Sequence, residues 1–184
     1  MKNYFMNALL FNLATIFLFL NYAMSINIDS INDNCKKAAA IDQNFSYDFC
    51  VAFLQADPKA ETATLADLEL ISINLAISNS TNIISHISQL LNQKSLDPYI
   101  SGALKDCLKL YNDAKSDLQD AISDLKSNDY YKANSDVSAA MDSSTTCEDG
   151  FKEKKGVVSP MANDNKSFFQ ITAIILSFMT LAHK

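Results

Sequence analysis

Between Thr62 and Lys94 the apolar residues Leu65, Leu68, Ile71, Leu75, Ile83, Ile87, Leu90 and Leu91 recur mostly at steps of three and four, with Asp67, Asn74 and Gln89 between them. That period draws one apolar stripe along an α-helix and leaves the other face wet. Ser95-Leu96-Asp97-Pro98 breaks the pattern, because the Asp97 carboxylate can accept from the free amides of a helix start and Pro98 fits a first turn. A second helix then runs to Lys126, with Ile100, Leu104, Cys107, Tyr111, Ala114, Leu118, Ala121 and Leu125 facing inward. Ser127-Asn128-Asp129 supplies a turn and a cap. Ala133, Val137, Ala140 and Ser144 mark a third helix that reaches Cys147, with Gly150 and Gly156 as its stop signals. In the last segment, Asn165–Ala182, Phe168, Ile171, Ile174, Ile175 and Phe178 form a stripe with Leu181 one turn on. Four amphipathic helices with short connections, each needing an apolar partner, predict an all-α chain built as an antiparallel four-helix bundle.

Composition supports the helices and adds a compartment. The chain has three glycines and three prolines, no tryptophan and no arginine, so long stretches lack any breaker. Lys2, the apolar run Ala8–Leu20 and the small-x-small pattern Ala23-Met24-Ser25 predict a secretory signal peptide over residues 1–25. The apolar core of that leader is shorter than the ~20 residues that span a bilayer. The mature chain, 26–184, is expected to be one domain, with 26–60 as a helical arm and 61–184 as the bundle. It keeps 14 lysines against 21 acids, a net charge of −7, which argues against a nucleic-acid surface. The tail FFQITAIILSFMTLA has a rival reading as a lipid-anchor signal or membrane helix. It is short for a span, and Asn163–Ser167 matches poorly the small site and spacer of an anchor, so a fourth bundle helix is expected and no membrane in the mature protein.

Secretion changes how Cys35, Cys50, Cys107 and Cys147 read: an oxidising compartment makes two disulfides the default, in any of three pairings. There is no Cys-x-x-Cys, hence no zinc-knuckle or thioredoxin-type spacing, and no metal site is expected. Cys35 and Cys50 lie in short helical runs, with Ser30 and Ser46 as N-caps, and helices that short are marginal alone. Asn44, Asn79 and Asn165 open Asn-x-Ser/Thr sequons, Asn44 in the loop between the first two cysteines. His86 and His183 are the only histidines and no cysteine or carboxylate stands at ligand spacing from either. Asp117 and Asp120 share a helix face, whereas glycosidase carboxylates stand across a cleft. With no phosphate loop and no nucleophile motif, neither an enzyme nor a cofactor is expected. Lys152, Lys154 and Lys155 read as a solvated charge run.

One family carries most of these features. Cys35, Tyr47-Asp48-Phe49-Cys50, Leu54-Gln55-Ala56-Asp57-Pro58-Lys59, Ala66-Asp67-Leu68, Ala103-Leu104-Lys105-Asp106-Cys107, Val137-Ser138-Ala139-Ala140 and Thr146-Cys147-Glu148-Asp149-Gly150-Phe151 resemble the plant invertase and pectin methylesterase inhibitors. The stretch Cys147–Gly156 with Val158-Ser159-Pro160 is most similar to the invertase-inhibitor branch that includes the major plane-tree pollen allergen. The resemblance implies a four-helix bundle preceded by an α-helical hairpin, one disulfide in the hairpin (Cys35–Cys50) and one between bundle helices (Cys107–Cys147). The leader and the sequons point to a secreted, apoplastic chain with candidate glycan sites, and the resemblance implies that it binds a cell-wall or vacuolar invertase (β-fructofuranosidase), or a pectin methylesterase, one to one and covers its active-site cleft. An extracellular protein with no enzyme target is the alternative. Invertase inhibitors of this fold place a lysine of an Asp-Pro-Lys-Phe stretch, at the start of the third bundle helix, into the enzyme's acidic site. The corresponding stretch here is Asp129-Tyr130-Tyr131-Lys132, so Tyr130, Tyr131 and Lys132 are the candidate partner-binding residues. The lysine is displaced by one residue, about 100° around a helix.

Overall fold

The computed structural model describes residues 31–183. The leader expected over 1–25, and Ser30 as a cap, lie outside the described residues. Two short helices, α1 (Ile31–Ile41) and α2 (Tyr47–Leu54), and a 3-10 turn at Pro58–Thr62 precede four long helices. These are α3 (Leu65–Leu91), α4 (Pro98–Lys126), α5 (Tyr130–Lys152) and α6 (Ala162–Ala182). Each long helix packs against the next, and α6 returns onto α3 to close an antiparallel ring.

The helices begin where short polar side chains can serve orphan amides. Ser46 accepts from the Phe49 amide, and Asp57 from the Lys59 amide. Thr64 and Asp67 exchange side-chain and backbone bonds in a capping box at the start of α3. Asp97 accepts from the amides of Tyr99 and Ile100, with Pro98 in the first turn of α4. Bonds from Thr64 hold the Asp67 carboxyl below the ordinary 3.8, and the Ile100 and Tyr99 amides do the same to Asp97. A depressed carboxyl contributes stability that is present above its unfolded value and lost as pH falls through the lower folded one. Asp97→Asn keeps an acceptor but not the charge, so its thermal midpoint is expected to lie below the parent's at neutral pH and to converge on it as pH falls through the lowered Asp97 value. A constant gap across an acid titration would contradict this.

The main core shows which stripes the sequence announces. In α4, Leu104, Cys107, Tyr111, Ala114, Leu118, Ala121 and Leu125 are all buried, with Ile100 half-buried. In α5, Ala133, Val137, Ala140, Ser144 and Cys147 are buried, and the helix runs through Gly150 to Lys152. Gly150 therefore is no stop signal, whereas Gly156 does take a left-handed φ of 87° in the following turn. In α3 the buried line is rotated from the one expected: Leu68, Ser72, Ile73, Ala76, Ser80, Ile83 and Ile87 face inward. Leu65, Ile71, Leu75, Leu90 and Leu91 are only half-buried. Small residues at 72, 76 and 80 let α3 sit close to its neighbours, and the larger side chains fill the flanks. Cys107 and Cys147 are joined across α4 and α5 with Cα atoms 4.9 Å apart. Tyr99 adds a bond from its hydroxyl to the Gly150 carbonyl at 2.7 Å, and Lys154 lies over the Tyr99 ring, 5.0 Å from its centroid.

A second core answers the question raised by the apolar tail. Ile31, Cys35, Ala38, Phe45, Cys50 and Leu54 of the α1–α2 hairpin pack with Leu68 of α3 and with Ala173, Ile174 and Phe178 of α6. On its other side α6 gives Phe168, Ile171, Ile175 and Met179 to the bundle core. Sandwiched between two cores, α6 has almost no face left for water. Its near-continuous apolar run is that of a buried helix, and among the described residues no helix is long and apolar enough to cross a membrane. The Cys35–Cys50 bond, Cα atoms 5.7 Å apart, lies wholly inside the second core.

Candidate functional site

The antiparallel arrangement gathers the start of α3, the end of α4, the start of α5 and the end of α6 at one end of the bundle. The α4–α5 turn is tight because Asn128 takes a φ of 61°, a left-handed conformation that asparagine tolerates better than most residues. Asp129 then caps α5 by accepting from the Lys132 amide at 3.1 Å. The capped first turn presents the three candidate partner-binding residues in three directions. Tyr131 stands 88% exposed, the most open of the large apolar side chains among the described residues. Tyr130 lies back against the protein, its hydroxyl donating to Asn128 Oδ1 at 2.8 Å and its ring stacked on His183 with centroids 3.6 Å apart.

Lys132 turns the third way and is occupied. Its Nζ donates to Asp124 Oδ2 at 2.7 Å and to Asp136 Oδ2 at 3.1 Å. These bonds raise the lysine's pKa, and the Lys132 bond holds Asp124 below the usual carboxylate value. Burial pushes Asp136 up despite the bond from Lys132. Asp117 is raised as well, by burial first and then by the charges of Asp136, Asp113 and Asp120. Lys132 is thus a cation within an acidic ridge, half exposed and held by two carboxylates. The Asp117/Asp120 pair belongs to the same ridge, on one helix face.

Behind Tyr130 lies a residue that the pattern of the sequence hides. Glu69 falls inside the buried side of α3, 2% exposed, and one of its oxygens meets His183 Nε2 at 3.1 Å. Burial raises the Glu69 carboxyl above its ordinary value, against the opposing effect of His183. Its other oxygen, Oε1, has no hydrogen-bond partner among the described residues. Read by spacing alone, Glu69 follows Leu68 on what looks like the wet flank; its partner is 114 positions away.

The sequons part company in the structure. Asn44 is exposed in the α1–α2 loop. Asn79 lies within α3, half-buried, with a buried Oδ1. Asn165 is 3% exposed, its Oδ1 accepting from the Tyr111 hydroxyl at 2.7 Å and its Nδ2 donating to Glu148 at 2.9 Å. A glycan on Nδ2 would have to break the bond to Glu148, and Asn165 is the least exposed of the three sequon asparagines. Tyr111 also meets Phe168 edge-to-face, centroids 5.2 Å apart.

A groove of about 740 Å³ runs between α4 and α5 beside the Cys107–Cys147 bond, where Gly102 and Gly150 border open space. A smaller one of about 310 Å³ lies between α5 and α6 at Glu148, Lys166 and Phe169. Neither reaches Tyr130, Tyr131 or Lys132. No group of three or more His, Cys, Asp or Glu that could hold a metal is found among the described residues. What the bundle end presents is a protruding aromatic side chain, Tyr131.

Comparison with known proteins agrees with this architecture. The family described as plant invertase/pectin methylesterase inhibitor matches residues 29–178. A "Putative invertase inhibitor" of Platanus acerifolia is 51% identical over 156 residues, covering 85% of this chain and 87% of its own. "Pectinesterase inhibitor 12" of Arabidopsis thaliana is 41% identical over 174 residues, covering 94% of this chain and 98% of its own. Among solved structures, a mutant form of a pectin methylesterase inhibitor from Arabidopsis superposes with a TM-score of 0.65 at 26% identity, over 80% of this chain and 93% of that one.

Proposed function

Since the chain belongs to the plant invertase/pectin methylesterase inhibitor family, a family of enzyme inhibitors and not of enzymes, we propose that it is a secreted protein that binds one plant cell-wall carbohydrate enzyme molecule and covers its active-site cleft. Invertase is the first target, on the strength of the relative named "Putative invertase inhibitor" at 51% identity. The observation that carries the reading is Tyr131, 88% exposed on a capped, rigid helix start. Tyrosine is enriched at binding hot spots because it brings a large contact area with little side-chain entropy to lose.

Pectin methylesterase is the second reading, and Lys132 favours it. To enter an acidic glycosidase cleft as a cation, Lys132 would first have to leave Asp124 and Asp136. Titration of the purified mature protein against both enzymes, at the mildly acidic pH of the cell wall, separates the two. Stoichiometric loss of invertase activity supports the first reading, and loss of pectin methylesterase activity supports the second. Loss of neither would leave an extracellular protein with no such target. The leader supports secretion, and Asn44 is the sequon best placed to carry sugar, which a mass decrease on N-glycosidase treatment would register.

A further inference from the structure

We propose that Glu69 and His183 are positioning residues for the docking end of the bundle, holding Tyr130 and the end of α6 as one surface with Tyr131. This rests on the reading of that end as enzyme-facing. Glu69 is costly, because a carboxylate taken out of water with one oxygen unpaired among the described residues loses much of its hydration. A leucine at this position would pack without that cost. What the carboxylate does is fix His183 at the C-cap of α6, where a helix otherwise frays. The imidazole so fixed lies nearly parallel to the Tyr130 ring, 20° between planes. Tyr130 is then held at both ends, by His183 under the ring and by Asn128 at the hydroxyl. With Tyr130 fixed on α5, the direction of its neighbour Tyr131 is fixed too.

The molecule contains its own control. Its other histidine, His86, also joins α3 to α6, with Nδ1 2.7 Å from Asp164 Oδ2. At 1.5 Å per residue the two sites are about 25 Å apart along α3. No ring stacks on His86 among the described residues. Both pairs join α3 to α6, and the His183 pair also stacks on Tyr130 of α5. The groups in contact with His183 are Glu69 of α3 and Tyr130 of α5, while Asp124 of α4 and Lys132 and Asp136 of α5, at the same end, bond among themselves.

The test compares His183→Gln, Glu69→Leu, His86→Gln and Tyr131→Ala in the full mature chain, by NMR of the Tyr130 ring and by binding to invertase and pectin methylesterase. Loss of a ring stacked at 3.6 Å shifts the Tyr130 ring resonances, so His183→Gln and Glu69→Leu are expected to move them and His86→Gln to leave them in place. The same two variants are expected to bind about tenfold more weakly, with His86→Gln within about twofold of the parent. Unmoved Tyr130 resonances in His183→Gln, or equal binding losses in His183→Gln and His86→Gln, would overturn the proposal. If Tyr131→Ala binds like the parent, the enzyme-facing reading fails and takes the docking role with it. If Tyr131→Ala is weakened but His183→Gln is not, that reading stands and the positioning role fails.

Discussion

Phe178→Ala is expected to lower the unfolding free energy by about 3–5 kcal/mol, the cost of emptying a large aromatic site in a core that relaxes only in part. Phe178 is fully buried where α6 meets the α1–α2 hairpin. The loss would be a large share of the ~5–15 kcal/mol that holds a typical domain together. Its location makes it informative, because the hairpin attaches to the bundle chiefly through the second core. The variant should therefore show earlier loss of α1 and α2 in hydrogen exchange, together with a lower urea midpoint. A loss below about 1.5 kcal/mol would mean that the hairpin is a loose arm and contributes little to α6.

Removing the Cys107–Cys147 bond by paired alanine substitutions is expected to cost about 4 kcal/mol, from the chain entropy of a loop of this length. The two cysteines are 40 positions apart, against 15 for Cys35 and Cys50, whose removal should cost about 3 kcal/mol in the same treatment. Alanine is the appropriate replacement because all four cysteines are buried, where an unpaired serine hydroxyl would add its own penalty. Since α4 and α5 carry the turn that presents Tyr130 and Tyr131, the first pair should also weaken target binding, and the second should affect it less. Equilibrium urea unfolding of both double variants checks the order. A reversal would indicate that the native strain or the denatured chain, and not loop length, dominates.

Helix α4 was the most legible element, since its inward stripe consists of large apolar residues and alanines set off by many charges. Its Asp97-Pro98 start was equally plain. Helix α3 was less so, because Ser72, Ala76 and Ser80 give weak hydrophobic signals although close packing buries them fully. The α6 tail was ambiguous for the opposite reason. A helix covered on two sides loses its amphipathic contrast, and only the location of the hairpin separates it from a membrane-type segment. Asn165 read as a sequon because three local residues define one, while its true partners, Tyr111 and Glu148, are 54 and 17 positions away. The Tyr130–Tyr131–Lys132 stretch could be located from the resemblance and the cysteine spacing. Its geometry could not, as the restraints on Tyr130 and Lys132 come from Asn128, His183, Asp124 and Asp136.

The most direct measurement is a calorimetric titration of the purified mature protein and its Tyr131→Ala variant into cell-wall invertase and into pectin methylesterase, at mildly acidic pH. Saturation at one inhibitor per molecule of one enzyme is predicted, with the variant at least about tenfold weaker and equally stable. Absence of binding to both enzymes, or identical binding by the variant, would contradict an inhibitor that docks through this end of its bundle.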